Sequence, residues 1–132
     1  MTRYERAAQM WPLLCHSVLH RQTITYEVAG RLTGMAGQGL GQVLEPIQSF
    51  CLIKRMPALS SLIVGAKTGI PGAGFIAASD VPSEQAAVYL WQWLDQAPPS
   101  PAELEASTKR LPSNGRSLNE LKKLLGESKL EN

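Results

Sequence analysis

The stretch TITYEVAGRLTGMAGQGLGQVL, Thr23–Leu44, holds five of the chain's eleven glycines in a region whose apolar spacing is otherwise helical. Each glycine inside a helix costs about 1 kcal/mol relative to alanine. Such a density calls for helix ends, tight turns, or backbone that another molecule approaches closely. Thr25 suits an N-cap for a helix from about Tyr26 to Leu32, and Gly34 suits its end. A further helix is expected from near Ala36 to about Leu44. Pro46, well placed as a first helical residue, then opens PIQSFCLIKR as a separate helix. Two short helices across a tight glycine turn predict a helix-turn-helix arrangement.

Outward from this centre, LSSLIVGAKTGIPGAGFIA places β-branched and apolar residues on both sides of GAKTG, which predicts a hairpin with its tip at Gly65–Gly69. Upstream, Thr2 and Glu5 stand at capping-box spacing before Ala7, Met10, Trp11, Leu14 and Val18, a helical stripe in which Pro12 marks a bend or a split. Downstream, DVPSEQAAVYLWQWLDQ reads as a helix capped by Asp80 or Ser83, with Ala87, Leu90, Trp91 and Leu94 as its apolar stripe. The expected fold class is mainly α with a small β-hairpin, a winged helix-turn-helix over residues 1–96. Proline, serine and charge then dominate 97–115, which reads as a linker. Ser117 and Glu120 open a short amphipathic helix in 116–132, with Leu118, Leu121, Leu124 and Leu125 as a face for a partner or a homodimer. A helix of about ten residues is marginal alone in water, so it must dock somewhere.

With 44% hydrophobic and 18% charged residues among 132, the chain has the composition of one folded domain rather than of a disordered segment. No run approaches the roughly 18 apolar residues of a membrane span, and Met-Thr-Arg-Tyr-Glu-Arg lacks a signal peptide's apolar core, so a cytoplasmic protein without a membrane partner is expected. The net charge of +2 is small. Between Arg21 and Lys67, however, five basic residues face two acidic ones, a modest local patch. Cys15 and Cys51 show no metal-ligand spacing and read as buried free thiols. His16 and His20 share a helix face at i, i+4, yet neither a carboxylate nor a third histidine stands near them in the chain, so no metal is assigned. GQGLG lacks the preceding strand and third glycine of a dinucleotide fingerprint, and GAKTG lacks the frame of a P-loop, so no cofactor is expected.

Tyr26, the glycine-rich turn and SSLIVGAKTGIPGAGF follow one another in an order that resembles the DNA-binding domain of the alkylguanine-DNA alkyltransferases and their alkyltransferase-like relatives. The similarity covers roughly Thr23 to Phe75. In that family a T-V-x-Y-G-x-L-A helix start precedes a recognition helix reading A-R-A-V-G, and the reactive cysteine follows in I-P-C-H-R-V. Here TITYEVAG matches the first element, GQGLG occupies the second, and LSSLIV stands in the third. Ser60 falls at the family's cysteine, Ser61 at its histidine and Leu62 at its arginine. Gln38 falls at the arginine that enters the minor groove, and Tyr26 at the tyrosine that presses on the backbone phosphate.

These departures remove the acceptor thiol and its activating base, and a serine hydroxyl without an adjacent histidine is a poor nucleophile. The resemblance therefore implies a non-catalytic DNA-binding protein. Gln38 and Gln42 lie near the groove, Ser60 and Ser61 at the vacated reactive position, and Tyr26, Arg31, Lys54, Arg55 and Lys67 on phosphates. The competing expectation is a protein-interaction module on the same fold, an immunity, antitoxin or phage-defence accessory protein.

Overall fold

The computed structural model describes residues 1–35, 39–72 and 75–126, and the helical backbone of 127–130. The chain is mainly helical, with six α-helices and one tiny sheet among the described residues. α1 (Arg3–Leu19) starts at the expected capping box: Glu5 N–H donates to Thr2 Oγ1 at 3.1 Å and Thr2 N–H to Glu5 Oε1 at 2.9 Å. It runs through Pro12 as one helix, with that proline on the exposed side. β1 (Ile24–Thr25) leads directly into α2 (Tyr26–Thr33), where Thr25 Oγ1 accepts Val28 N–H at 3.2 Å. Gly34 ends α2 with φ +71°, a left-handed conformation that glycine adopts without penalty.

α3 (Leu40–Lys54) departs from expectation, because Pro46 lies inside one continuous helix instead of opening a new one. Proline has no N–H to give the carbonyl four residues back. Here that carbonyl, of Gln42, accepts instead from Arg3 Nη1 at 3.3 Å, and the same nitrogen donates to Gln42 Oε1 and Glu45 Oε1, each at 2.9 Å. A guanidinium from α1 thus bridges the gap in the ladder of α3. The expected start near Ala36 lies outside the described residues.

A 3-10 turn (Leu59–Leu62) follows, then β2 (Ile63–Val64), and here the expected hairpin is corrected. β2 pairs in parallel with β1, Ile24 opposite Ile63 and Thr25 opposite Val64, and α2 and α3 form the crossover that a parallel pair requires. Gly65–Ile70 is a turn closed by Gly65 N–H to Ile70 O at 2.9 Å, and no strand follows it among the described residues. Pro71 cannot donate to a ladder and Ile70 is 54% exposed, so these two positions lack the donor and the buried side chain of a strand.

α4 (Val81–Leu90) is capped by Asp80 and ends earlier than expected. Its buried residue is Val88, while Leu90 and Leu94 are 72% and 73% exposed, so the anticipated stripe has the wrong phase. The inward aromatic is Trp93, whose Nε1 donates to Val88 O at 2.8 Å and whose ring meets Trp11 edge-on at 5.7 Å.

The segment read as a linker, 97–115, carries α5 (Pro101–Arg110), opened by a Ser100–Glu103 capping box and packed across α1 and α3. Leu104 is fully buried in the same core as Met10, Leu14, Val43, Ile47 and Leu59. Beyond it a polar seam ties residues 111–114 to α3. Ser49 Oγ donates to Leu111 O at 2.7 Å, Gln48 Nε2 to Ser113 Oγ at 3.0 Å, and Asn114 N–H to Glu45 Oε2 at 2.8 Å. Buried polar groups need such partners, so the fold continues past Gln96. α6 (Leu118–Leu130) then rests on its own chain through Leu121, which is fully buried. Leu118 and Leu125 are half-buried and Leu124 is 37% exposed, so only part of the expected leucine face is open to a partner.

Candidate functional site

Three of the residues singled out from the sequence adjoin the strand pair, at its two ends. Tyr26 follows β1 directly and Ser60 and Ser61 lie in the turn that enters β2, so the parallel register of Thr25 with Val64 puts Tyr26 level with Gly65 and the two serines before the opposite end. Tyr26 Oη accepts Gly72 N–H at 2.7 Å, which pins the segment after the glycine turn against the first turn of α2. A Cβ on residue 72 would stand 2.6 Å from that hydroxyl, so the close approach requires glycine there. The bond uses an oxygen lone pair and leaves the tyrosine proton for an acceptor.

Ser60 and Ser61 are 2% and 0% exposed, and neither Oγ has a hydrogen-bond partner among the described residues. An unmatched buried hydroxyl costs about 1–3 kcal/mol, so two side by side are an expensive feature in a short turn. Their backbone is nevertheless held firmly. Ala58 N–H donates to Glu84 Oε2 at 2.6 Å and Gln85 Nε2 donates to Ser61 O at 2.9 Å, so α4 clamps the turn at both ends. Sequence reasoning missed Glu84 and Gln85, because only the apolar positions of that helix were weighed and both bonds span more than twenty residues.

Cys51 reaches the same turn from α3, its sulfur accepting the Leu59 amide. Burial pushes its thiol up to about 12, and burial likewise pushes Cys15 up to about 11. Both are free, buried and protonated at neutral pH, the condition of an inert thiol rather than a nucleophile.

The remaining residues are dispersed. Gln42 sits in the first turn of α3 and is exposed, with its side-chain oxygen taken by Arg3. Lys54 and Arg55 stand at the opposite end of that helix, about 18 Å away at about 1.5 Å per residue. Lys54 Nζ lies 5.8 Å from the Phe50 ring, and Arg55 ends the helix with φ 57°. Arg31 pairs with Glu27 across 4.0 Å on the exposed face of α2, and Lys67 is exposed at the tip of the turn. Gln38 and Gly37 lie outside the described residues.

The glycines now separate by cause. A Cβ at Gly30 would meet Met35 O at 2.6 Å, and Gly34 carries a positive φ, so both serve the fold. Gly41 has nothing among the described residues within 4 Å of where a Cβ would stand, on a helix whose N-cap Gly39 offers no side-chain oxygen. Its packing gives no reason for glycine. Among the described residues no group of three or more His, Cys, Asp or Glu stands together as a metal centre, and no helix is long and apolar enough to cross a membrane. No protein-family model, curated protein or solved structure matches this chain.

Proposed function

We propose that the chain is a cytoplasmic, non-catalytic DNA-binding protein of the alkyltransferase-like type, in which α2 and α3 act as the helix-turn-helix and the Gly65–Ile70 turn takes the place of a wing. The observation that carries this reading is the pair of buried, unpartnered hydroxyls of Ser60 and Ser61, at the two positions where the resembled family keeps its reactive cysteine and histidine. Both hydroxyls lie beneath the surface, so a nucleobase edge reaches them only when the turn opens, and it then offers the hydrogen bonds that the protein does not and offsets their cost. Tyr26, which accepts from Gly72 and keeps its own proton to donate, and exposed Lys67 follow the strand pair at the end opposite the serines and suit phosphate oxygens. The open place at Gly41, beside Gln42, allows a groove wall to approach the uncapped start of α3.

A mobility-shift titration with plain, single-stranded and O6-methylguanine-containing DNA tests the reading. Four phosphate contacts, from Arg31, Lys54, Arg55 and Lys67, give a log–log salt slope near about −3.6. Lys67→Ala flattens it by about one while weakening all sequences alike. Ser60→Ala separates function from fold: loss of an orphan hydroxyl raises the melting temperature, yet it weakens binding to the modified duplex. Mass spectrometry after incubation with that duplex shows no stoichiometric adduct on Cys15, Cys51 or Ser60. Absence of binding to every DNA at low salt, or unchanged affinity in Ser60→Ala, refutes the proposal.

A second reading, a protein-interaction module of the immunity, antitoxin or phage-defence kind, is favoured by three exposed leucines. Leu19, Leu90 and Leu94 are 63%, 72% and 73% exposed, and Leu19 and Leu94 line one groove with Trp11 and Trp93. Exposed apolar patches mark contact surfaces. Failure of every DNA titration, together with an assembly in light scattering that Leu94→Glu dissolves, selects this reading.

A further inference from the structure

The C-terminal end of α1 presents His16 and His20 on one exposed stripe, with ring centres 4.4 Å apart. Although the helix ends at Leu19, His20 N–H still donates to His16 O at 3.3 Å, so the i, i+4 relation persists through the cap. Two imidazoles bound in cis to one metal, each with its nitrogen about 2.1 Å from the ion, place their ring centres roughly 4.5–5 Å apart. The spacing of the rings therefore suits a shared ion, with rotation of the two exposed side chains bringing a nitrogen of each to it. The position at the helix end helps as well, because the carbonyl terminus carries partial negative charge and favours a cation. Arg21, the next residue, opposes the ion by like charge, and its φ of 51° takes the chain out of the helix.

We propose that His16 and His20 form a two-point chelate for a borderline divalent transition-metal ion, with Cu²⁺ held more tightly than Ni²⁺ or Zn²⁺ by the general order of affinities for nitrogen ligands. With two protein ligands the ion keeps open positions for water or an external donor. His16 also borders a groove lined by Ser17, Gln22 and Thr23. The site is separate from the Ser60–Ser61 turn and does not depend on the DNA reading.

Calorimetric titration of the full chain with CuCl₂ in a non-coordinating buffer, paired with ¹H–¹⁵N spectra at substoichiometric Cu²⁺, tests the assignment. One ion per chain is expected, with paramagnetic broadening centred on residues 16–20. Because the second imidazole is delivered intramolecularly, His16→Gln or His20→Gln each weaken binding by at least about tenfold. Both side chains are exposed, so the metal-free melting temperature of each variant stays at the wild-type value. Broadening centred elsewhere, or either variant retaining wild-type affinity, overturns the proposal.

Discussion

Replacing Leu104 by alanine tests whether α5 belongs to the core. The side chain is 0% exposed and sits among residues of α1, α3 and the 3-10 turn, so its removal leaves a cavity that three elements would have to close. Fully buried Leu→Ala changes cost about 3–5 kcal/mol, transfer and cavity terms together. Unfolding entropy of about 2.1 cal/mol/K per residue over 132 residues converts this to a fall in Tm of about 10–18 °C. Lys109→Ala on the same helix is the control, because its ion pair with Glu105 is exposed and worth at most about 0.5 kcal/mol. Thermal and urea unfolding of the two variants read the difference. Truncation after Gln96 extends the test: it removes Leu104 and Leu111 and takes from Glu45, Gln48 and Ser49 their partners in residues 111–114, so no cooperative transition is expected. A fall below about 3 °C for Leu104→Ala, or a truncated chain that melts like the full one, would refute the packing argument and restore the linker.

Arg3→Met should cost about 2 kcal/mol in urea unfolding, because the nearly buried Glu45 carboxylate loses a charged hydrogen bond, discounted for the 29% exposure of the arginine side chain. In a Pro46→Ala background, where residue 46 regains an N–H for Gln42 O, the cost of Arg3→Met should shrink, and strict additivity would dismiss the bridge. A thiol reagent at pH 8 should label neither Cys15 nor Cys51 until the chain unfolds, and rapid native labelling of either contradicts their burial. The pH dependence has a definite sign. Both thiols titrate higher in the folded chain than the ordinary value near 9, at about 11 and about 12, so their contribution is complete below pH 9 and is lost as pH rises toward 11–12. A Cys15→Ala/Cys51→Ala variant should lose less stability over that window, as alkaline melting curves will show.

Local chemistry was legible wherever one residue's side chain serves its own neighbours. The Thr2–Glu5 box, the Thr25 cap, the stop at Gly34, the Asp80 cap and the Ser117–Glu120 pairing all act within three or four residues, so the chain order contains both partners. The Ser100–Glu103 box with Pro101 in the first turn is equally local, but the proline and serine content of 97–115 points to a linker and hides α5. The candidate site was legible only in part, since Tyr26, Ser60 and Ser61, placed by the resemblance, do adjoin the one strand pair, but at its two opposite ends.

What that order could not contain is any pairing across tens of residues. The parallel match of Ile24 with Ile63 needs the intervening helices as its crossover, and Arg3 completes the proline gap at Gln42 only because α1 lies along α3. The same holds for Glu84 and Gln85 on the turn and for the seam from Ser49 to Ser113. A hydrogen bond is made within about 3 Å whatever the separation along the chain. Capping and glycine chemistry therefore follow from adjacency in sequence, whereas burial of Ser60, Ser61 and Leu104 follows from which helix faces meet, and only the packed tertiary structure decides that.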